Sequence, residues 1–259
     1  MTKATDQLQL KIGVVGNGYI GNTYAKILTQ LGCNPLWIST SKTNIQTLMP
    51  CDVIIIAVPW EKQPYLIPEY SHLCKLCFVE KPLFYDDKSY QAILPFSDKI
   101  YCCFNRRFFN SVIHLKSLLE DQNVATSRMV LVNDNFIIQK YGSLNFWKDG
   151  FSSHAIDLYC YLDIDRIEYY YKLYHETFIE ICLKDGTFIR LSPFEKLQVF
   201  QENHIYTIYE NAKKHKPGYY SMIKDIVNGR LERFCTLSDY KYRYDLIQNI
   251  LSLTDNGSQ

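Results

Sequence analysis

The chain has 259 residues, 47% of them hydrophobic and 21% charged, with 28 Lys and Arg against 27 Asp and Glu. That composition permits a packed core and excludes a disordered chain. A formal net charge of +1 gives no global electrostatic reason to bind nucleic acid or an acidic membrane, and neither is expected as a partner. Residues 1–11 are polar and read as carrying no apolar leader. No apolar run approaches the roughly 18 residues that a spanning helix needs.

Short apolar runs and helical patterns alternate along the first third. Residues 10–15 read as a buried strand, 20–31 as a helix, 35–39 as a second strand and 53–58 as a third, nearly all β-branched. A helix is expected over 64–73, where Pro64 suits a first turn but Pro68 should kink or break the helix. Strands at 76–79 and 100–104 and helices at 89–94 and 108–119 complete the alternation. Such alternation predicts a parallel sheet with helices on both faces.

The pattern then changes. Strands are expected at 129–138, 167–174, 178–183, 188–191, 197–201 and 205–209, with helices only at 152–162, 219–227 and 242–253. Lys184-Asp185-Gly186-Thr187 between two strands reads as a two-residue hairpin turn in which both central residues take positive φ. The second half is therefore expected to be an α+β unit of mainly antiparallel sheet. Phe178, Glu180, Cys182 and Lys184 should share one face, with Ile179, Ile181 and Leu183 on the other, under helices. The expected division is residues 1–122 for a dinucleotide-binding unit and 123–259 for a substrate and oligomerisation unit.

Residues 12–21 contain Gly16-Asn17-Gly18-Tyr19-Ile20-Gly21, a G-x-G-x-x-G pattern placed after a strand and at the opening of a helix. In that setting the first glycine permits a tight turn, the second lets backbone approach a pyrophosphate, and the third lets helix and strand pack closely. The helix N-terminus offers free N–H groups to the phosphates. An acid after the second strand would select NAD through the ribose hydroxyls. Here Ser39-Thr40-Ser41-Lys42 stands in its place, and hydroxyls with a cation suit a 2′-phosphate, so NADP is expected over NAD.

The nine cysteines, Cys33, Cys51, Cys74, Cys77, Cys102, Cys103, Cys160, Cys182 and Cys235, follow no disulfide framework. Cys74 and Cys77 form a lone C-x-x-C without a second ligand pair, so no metal is expected. Reduced thiols of this kind point to the cytoplasm.

Three further motifs stand in order along the chain. They are Val79-Glu80-Lys81-Pro82, then Phe104-Asn105-Arg106-Arg107-Phe108, then the run from Gly150 to Leu158 that holds His154 and Asp157. With the glycine loop they make the chain resemble the Gfo/Idh/MocA family of glucose–fructose oxidoreductases and inositol dehydrogenases. The resemblance implies a nicotinamide-dependent oxidoreductase on a small sugar-like alcohol or ketone, nucleotide-linked sugars included. It puts Lys81 beside the nicotinamide, bonded to the reacting substrate oxygen, and makes His154 the general acid or base. It places Glu80 and Pro82 in the nicotinamide pocket, and Ala57, Val58, Pro59 and Gln63 against the cofactor. Asn105, Arg107, Asp149 and Asp157 become supporting residues, and the open face of the second sheet becomes a homodimer interface. His titrates near neutral pH and an ammonium stabilises oxygen charge, so these residue types suit the chemistry.

The chain departs from the family pattern at four points. Gly150 stands where many members carry an Asp one turn before the histidine, and Gln63 stands where many carry a His. The link from Lys42 to Val53 is too short for the usual crossovers, so the Rossmann sheet is expected to lack one strand on the adenosine side. The chain is also short, which predicts few insertions in the second unit. These departures leave room for reduction of an imine or a biliverdin-like conjugated double bond, and for an NADP-binding sensor with no turnover.

Overall fold

A computed structural model describes residues 10–38, 50–121, 124–133, 150–171, 176–192, 195–202, 204–210 and 216–255. It divides into two compact units, residues 1–103 with 222–240, and residues 104–221 with 241–259.

The first unit opens with strand β1 (Ile12–Val15), helix α1 (Tyr19–Gln30) and strand β2 (Leu36–Ile38). Strand β3 (Cys51–Ile56), helix α2 (Gln63–Ser71), strand β4 (Cys74–Glu80), helix α3 (Asp87–Ile93) and strand β5 (Ile100–Cys103) come next. The sheet is parallel through β5-β4-β3-β1-β2. Ile54, Ile55 and Ile56 are fully buried, as β-branched residues in a strand covered on both faces should be. Strand β1 pairs with β2 on one side and β3 on the other, so the winding direction reverses at β1. In open α/β sheets the crevice beyond the carboxyl ends at such a reversal is where ligands bind. Among the described residues β2 is the last strand on its edge.

Helix α2 runs through Pro68 without a break. The missing N–H removes one intrahelical bond, and burial of Pro64, Ile67, Tyr70 and Ser71 holds the short helix in place. Asp86 caps α3: its side chain accepts from Ser89 N at 2.7 Å while Ser89 Oγ accepts from Asp86 N at 3.1 Å.

The second unit holds helix α4 (Asn110–Asp121), strand β6 (Val124–Asn133), helix α5 (Gly150–Tyr161) and strands β7 (Arg166–Tyr171), β8 (Glu176–Leu183), β9 (Phe188–Ser192), β10 (Lys196–Gln201) and β11 (His204–Tyr209). Helix α6 (Tyr219–Val227), strand β12 (Cys235–Thr236) and helix α7 (Leu237–Asp255) are the last elements described. The sheet order is β11-β10-β9-β8-β6-β7. Ile179, Ile181, Leu183, Ile189, Leu191, Leu197 and Val199 are buried, while Cys182 and Lys184 are exposed and Phe178 and Glu180 half-buried, the expected alternation.

Three features differ from the sequence reading. The pairing of β6 with β7 is parallel, because α5 lies between them in the chain and makes a β-α-β crossover rather than a hairpin. The Asp185-Gly186 turn has positive φ only at Gly186; Gly186 N donates to Leu183 O and Leu183 N to Thr187 O. That is a three-residue turn with a glycine bulge rather than the two-residue form. The single cut expected at residue 122 gives way to two segments per unit. Helix α4 packs on β10 and β11, which places it in the second unit. Strand β12 returns to pair antiparallel with β5 (Cys235 with Cys102), and Phe234 meets Phe78 edge-on at 4.8 Å, which places residues 222–240 in the first unit.

Candidate active site

The glycine loop sits at the carboxyl end of β1, at the winding reversal. Gly16 has φ 103°, and a Cβ there would lie 2.3 Å from the Ala57 carbonyl oxygen, so no other residue fits without moving β3. A Cβ on Gly21 would lie 2.1 Å from the Gly16 carbonyl oxygen, which is the close helix–strand approach the third glycine permits. Gly18 differs: among the described residues a Cβ there would meet nothing within 4 Å, so its smallness serves no contact with them. Gly18 is the N-cap of α1, no side chain among the described residues caps the helix, and no acid lies in its first turn. Asn22 Nδ2 braces the loop from inside the helix, donating to Asn17 O at 2.7 Å and Gly18 O at 2.9 Å. Tyr19 is exposed and Ile20 half-buried.

The ends of β3 and β4 border the same edge. Ala57 N donates to Val15 O at 2.9 Å, which ties the end of β3 to the start of the loop. The Val58 side chain would approach a Cβ on Gly16 to 3.1 Å. Pro59 is exposed. Gln63, buried at the start of α2, donates from Nε2 to Val58 O at 3.2 Å, and its Oε1 is buried with no hydrogen-bond partner among the described residues. A buried amide oxygen of that kind calls for a donor. Glu80 ends β4, and its Oε1 accepts from the fully buried Tyr24 hydroxyl at 2.8 Å. Lys81 is next, half-buried, joined to the buried Pro82 by a cis peptide bond. The open space before Gly18, the uncapped helix N-terminus and the orphaned Gln63 oxygen together fit a dinucleotide.

In the second unit, Asn105 donates from Nδ2 to Pro217 O at 2.9 Å. Arg107 Nε donates to Asp157 Oδ2 at 2.8 Å, and Arg107 Nη2 donates to Oδ1. Arg243 of α7 donates from Nε to the same Oδ1 at 2.9 Å. All three side chains are buried, Asp157 completely. Asp157, a supporting residue of the motif that holds His154, gives both of its oxygens to guanidinium groups. His154 is buried on α5, its ring edge-on to Phe104 at 5.5 Å, and Phe104 lies under the Arg107 guanidinium at 5.8 Å. Phe104, Arg107, His154 and Asp157 are thus built into one packed cluster.

Ser39, Thr40, Ser41, Lys42 and Asp149 lie outside the described residues. Gly150 begins α5. Sequence reasoning missed Arg243, whose only signal is a basic residue within a helical pattern. It also missed Tyr24, three residues past Gly21 on the buried face of α1. All nine cysteines are free. Burial pushes the Cys103 thiol well above its ordinary range, and the nearby Glu80 charge adds to the rise. Among the described residues no group of three or more His, Cys, Asp or Glu could hold a metal ion. No helix among them is long and apolar enough to cross a membrane. A cavity of about 310 Å³ in the second unit, lined by Lys116, Ser127 and Asp165 among others, includes none of the candidate residues.

No protein-family model matches the chain, and no curated protein matches it. Solved structures do. A dehydrogenase (MviM) from Clostridium difficile aligns over 94% of this chain and 99% of its own, with TM-score 0.71 and 16% identity. A levoglucosan dehydrogenase in complex with NADH aligns over 94% and 96%, with TM-score 0.70 and 15% identity. A Gfo/Idh/MocA family oxidoreductase from Vibrio cholerae aligns over 95% and 99%, with TM-score 0.67 and 14% identity. At these identities the likeness establishes the fold, which is the one those oxidoreductases share.

Proposed function

We propose that the chain is a nicotinamide-dependent oxidoreductase of the Gfo/Idh/MocA type, acting on a small sugar-like alcohol or ketone. One observation carries the reading. Three glycines stand at the winding reversal; two are required by contacts inside the protein, and the third, Gly18, faces open space among the described residues. The nearest use for that space is a pyrophosphate at the N-terminus of α1. The levoglucosan dehydrogenase that shares the fold was solved with NADH, which supports a nicotinamide cofactor. Ser39-Thr40-Ser41-Lys42 favours NADP, since a cation and three hydroxyls suit a 2′-phosphate.

When bound, the cofactor supplies or accepts a hydride at the substrate carbon. The chain's residues do the rest. The α1 N-terminus holds the phosphates, and Gln63 Oε1 accepts from a cofactor hydroxyl or amide. Tyr24 fixes the Glu80 carboxylate, and with it the end of β4 that presents Lys81. The Lys81 ammonium binds the reacting oxygen and stabilises charge that develops there. His154 takes or returns the hydroxyl proton. Asp157, Arg107 and Arg243 hold the helix that carries His154. A homodimer through the exposed face of the second sheet, and a cytoplasmic setting suited to nine free thiols, complete the reading.

Titration with NADPH and NADH, monitored by nicotinamide fluorescence, tests it. Tighter binding of NADPH that Lys42→Ala abolishes is expected, and turnover on a sugar panel should vanish in Lys81→Ala and His154→Ala. Binding without turnover on any alcohol, ketone or imine would point to a sensor instead. Failure to bind either nucleotide would end the oxidoreductase reading.

A further inference from the structure

Cys102 on β5 and Cys235 on β12 stand directly opposite each other in antiparallel register. The residues beside them fix the register from the other face of the sheet. Tyr101 stacks on Phe78 with ring centroids 5.5 Å apart, and Phe234 meets the same Phe78 edge-on at 4.8 Å. Side-chain direction alternates along a strand, so with Tyr101 and Phe234 on one face the thiols of Cys102 and Cys235 share the other. Both cysteines are reduced and fully buried.

Directly opposed residues of an antiparallel pair have Cα atoms roughly 4.5–5.5 Å apart, inside the roughly 4.4–6.8 Å that a disulfide spans. Joining these two thiols therefore needs side-chain rotation more than backbone movement. Cys235 Sγ lies 3.6 Å from Thr236 O, a local contact that one turn about χ1 releases. Cys51 and Cys74 also stand in register, but on parallel strands, and Cys74 Sγ is turned back onto α2, 3.5 Å from Tyr70 O and 3.9 Å from Ser71 O.

The place of the pair gives a bridge something to hold. Strand β12 is two residues long and lies at the edge of its sheet among the described residues. So short an edge strand frays without unfolding the sheet, which admits a small oxidant to both sulfurs. The chain leaves the first unit after Cys103 and returns to it at Met222. A bridge from Cys102 to Cys235 would thus close a loop of roughly 130 residues, and long loops gain the most from closure.

From this geometry we infer that Cys102 and Cys235 form a redox-sensitive latch, joined by a peroxide into a disulfide that pins β12 to β5 and released by a thiol reductant. With hydrogen peroxide, one sulfur attacks a peroxide oxygen; the O–O bond breaks, a sulfenic acid forms and one water leaves. The second sulfur then attacks the sulfenic sulfur; the S–S bond forms, the S–O bond breaks and a second water leaves. Two thiols are oxidised and one peroxide is reduced to two waters. The latch does not depend on the function proposed above.

Peroxide treatment of the reduced full chain, followed by peptide mass mapping without reductant and by thermal unfolding, tests it. A Cys102–Cys235 linked peptide is expected, with a thermal midpoint raised by about 10 °C, and dithiothreitol should reverse both. Cys235→Ala should abolish the linked peptide and the rise, whereas Cys182→Ser, which removes an exposed thiol, should leave both intact. Cys102→Ala removes the same bridge from the other strand and serves if Cys235→Ala does not fold. Bridging of any other pair, sulfinic acid at Cys102 or Cys235 without a bridge, or a rise in midpoint that survives these alanines would overturn the latch.

Discussion

Replacing Asp157 by Asn probes the buried cluster that underlies His154. Asp157 is completely buried and accepts from Arg107 Nε at 2.8 Å, from Arg107 Nη2 and from Arg243 Nε at 2.9 Å. Two cations thus share one anion, and the Asn amide removes that charge while turning a donor toward donors. Removing one partner of a buried ion pair costs about 3–5 kcal/mol, a fifth or more of the roughly 5–15 kcal/mol that holds a typical domain. Arg243→Met is expected to cost less than Asp157→Asn, because the two-pronged Arg107–Asp157 pair survives it. The double variant Asp157→Asn/Arg107→Met should be less destabilised than the sum of its parts, since each substitution removes the charge that the other strands. Urea titration by far-ultraviolet circular dichroism measures the total, and hydrogen exchange at α5 amides assigns the loss to the second unit. A cost below about 1 kcal/mol for Asp157→Asn, or strict additivity, would refute a cluster whose cations depend on this carboxylate.

The two glycine positions of α1 should separate binding from folding. Gly18→Ala meets nothing within 4 Å at φ −71°, so thermal stability should hold while NADPH binding weakens at least about tenfold; Gly21→Ala, 2.1 Å from the Gly16 carbonyl, should cost about 1–3 kcal/mol in a urea titration. Asp86→Ala removes the α3 cap and should cost about 1 kcal/mol at neutral pH. The Ser89 hydroxyl and backbone N–H hold the Asp86 carboxyl below its ordinary 3.8, so that stabilisation is complete above 3.8 and lost as the pH falls through the lower folded value. The gap between the two proteins should therefore close in acid, and a gap that persists there would rule out the capping carboxylate as its source. A thiol reagent on the native protein should modify the exposed Cys182 first and Cys160 more slowly, with the other seven cysteines reacting only on unfolding. Fast labelling of Cys77 or Cys103 would contradict their burial.

Much of the architecture was legible in local pattern. Runs such as Ile54-Ile55-Ile56 announce a strand buried on both faces, and the glycine loop announces its turn, because both signals lie within a few residues of one another. The alternation of Ile179, Ile181 and Leu183 with Phe178, Glu180 and Cys182 assigned the two faces of β8 correctly, since side-chain direction in a strand has a period of two. The Asp185-Gly186 signal located a hairpin but not its form, which depends on where the flanking strands lock into register.

What only the tertiary structure decided is a matter of distant partners. Asp157 lies three residues after His154 in one motif; packing brought Arg107 and Arg243, fifty and 86 positions away, onto its oxygens. Strand β12 is two residues long, too short for any periodic signal, and exists because β5 offers it an open edge. The parallel pairing of β6 with β7 likewise comes from the helix that joins them rather than from either strand's own residues. Local sequence chose the elements and the glycine loop; the ion partners and the closing strand were chosen by burial, which leaves a charge or a sheet edge inside the protein only where a distant segment can satisfy it.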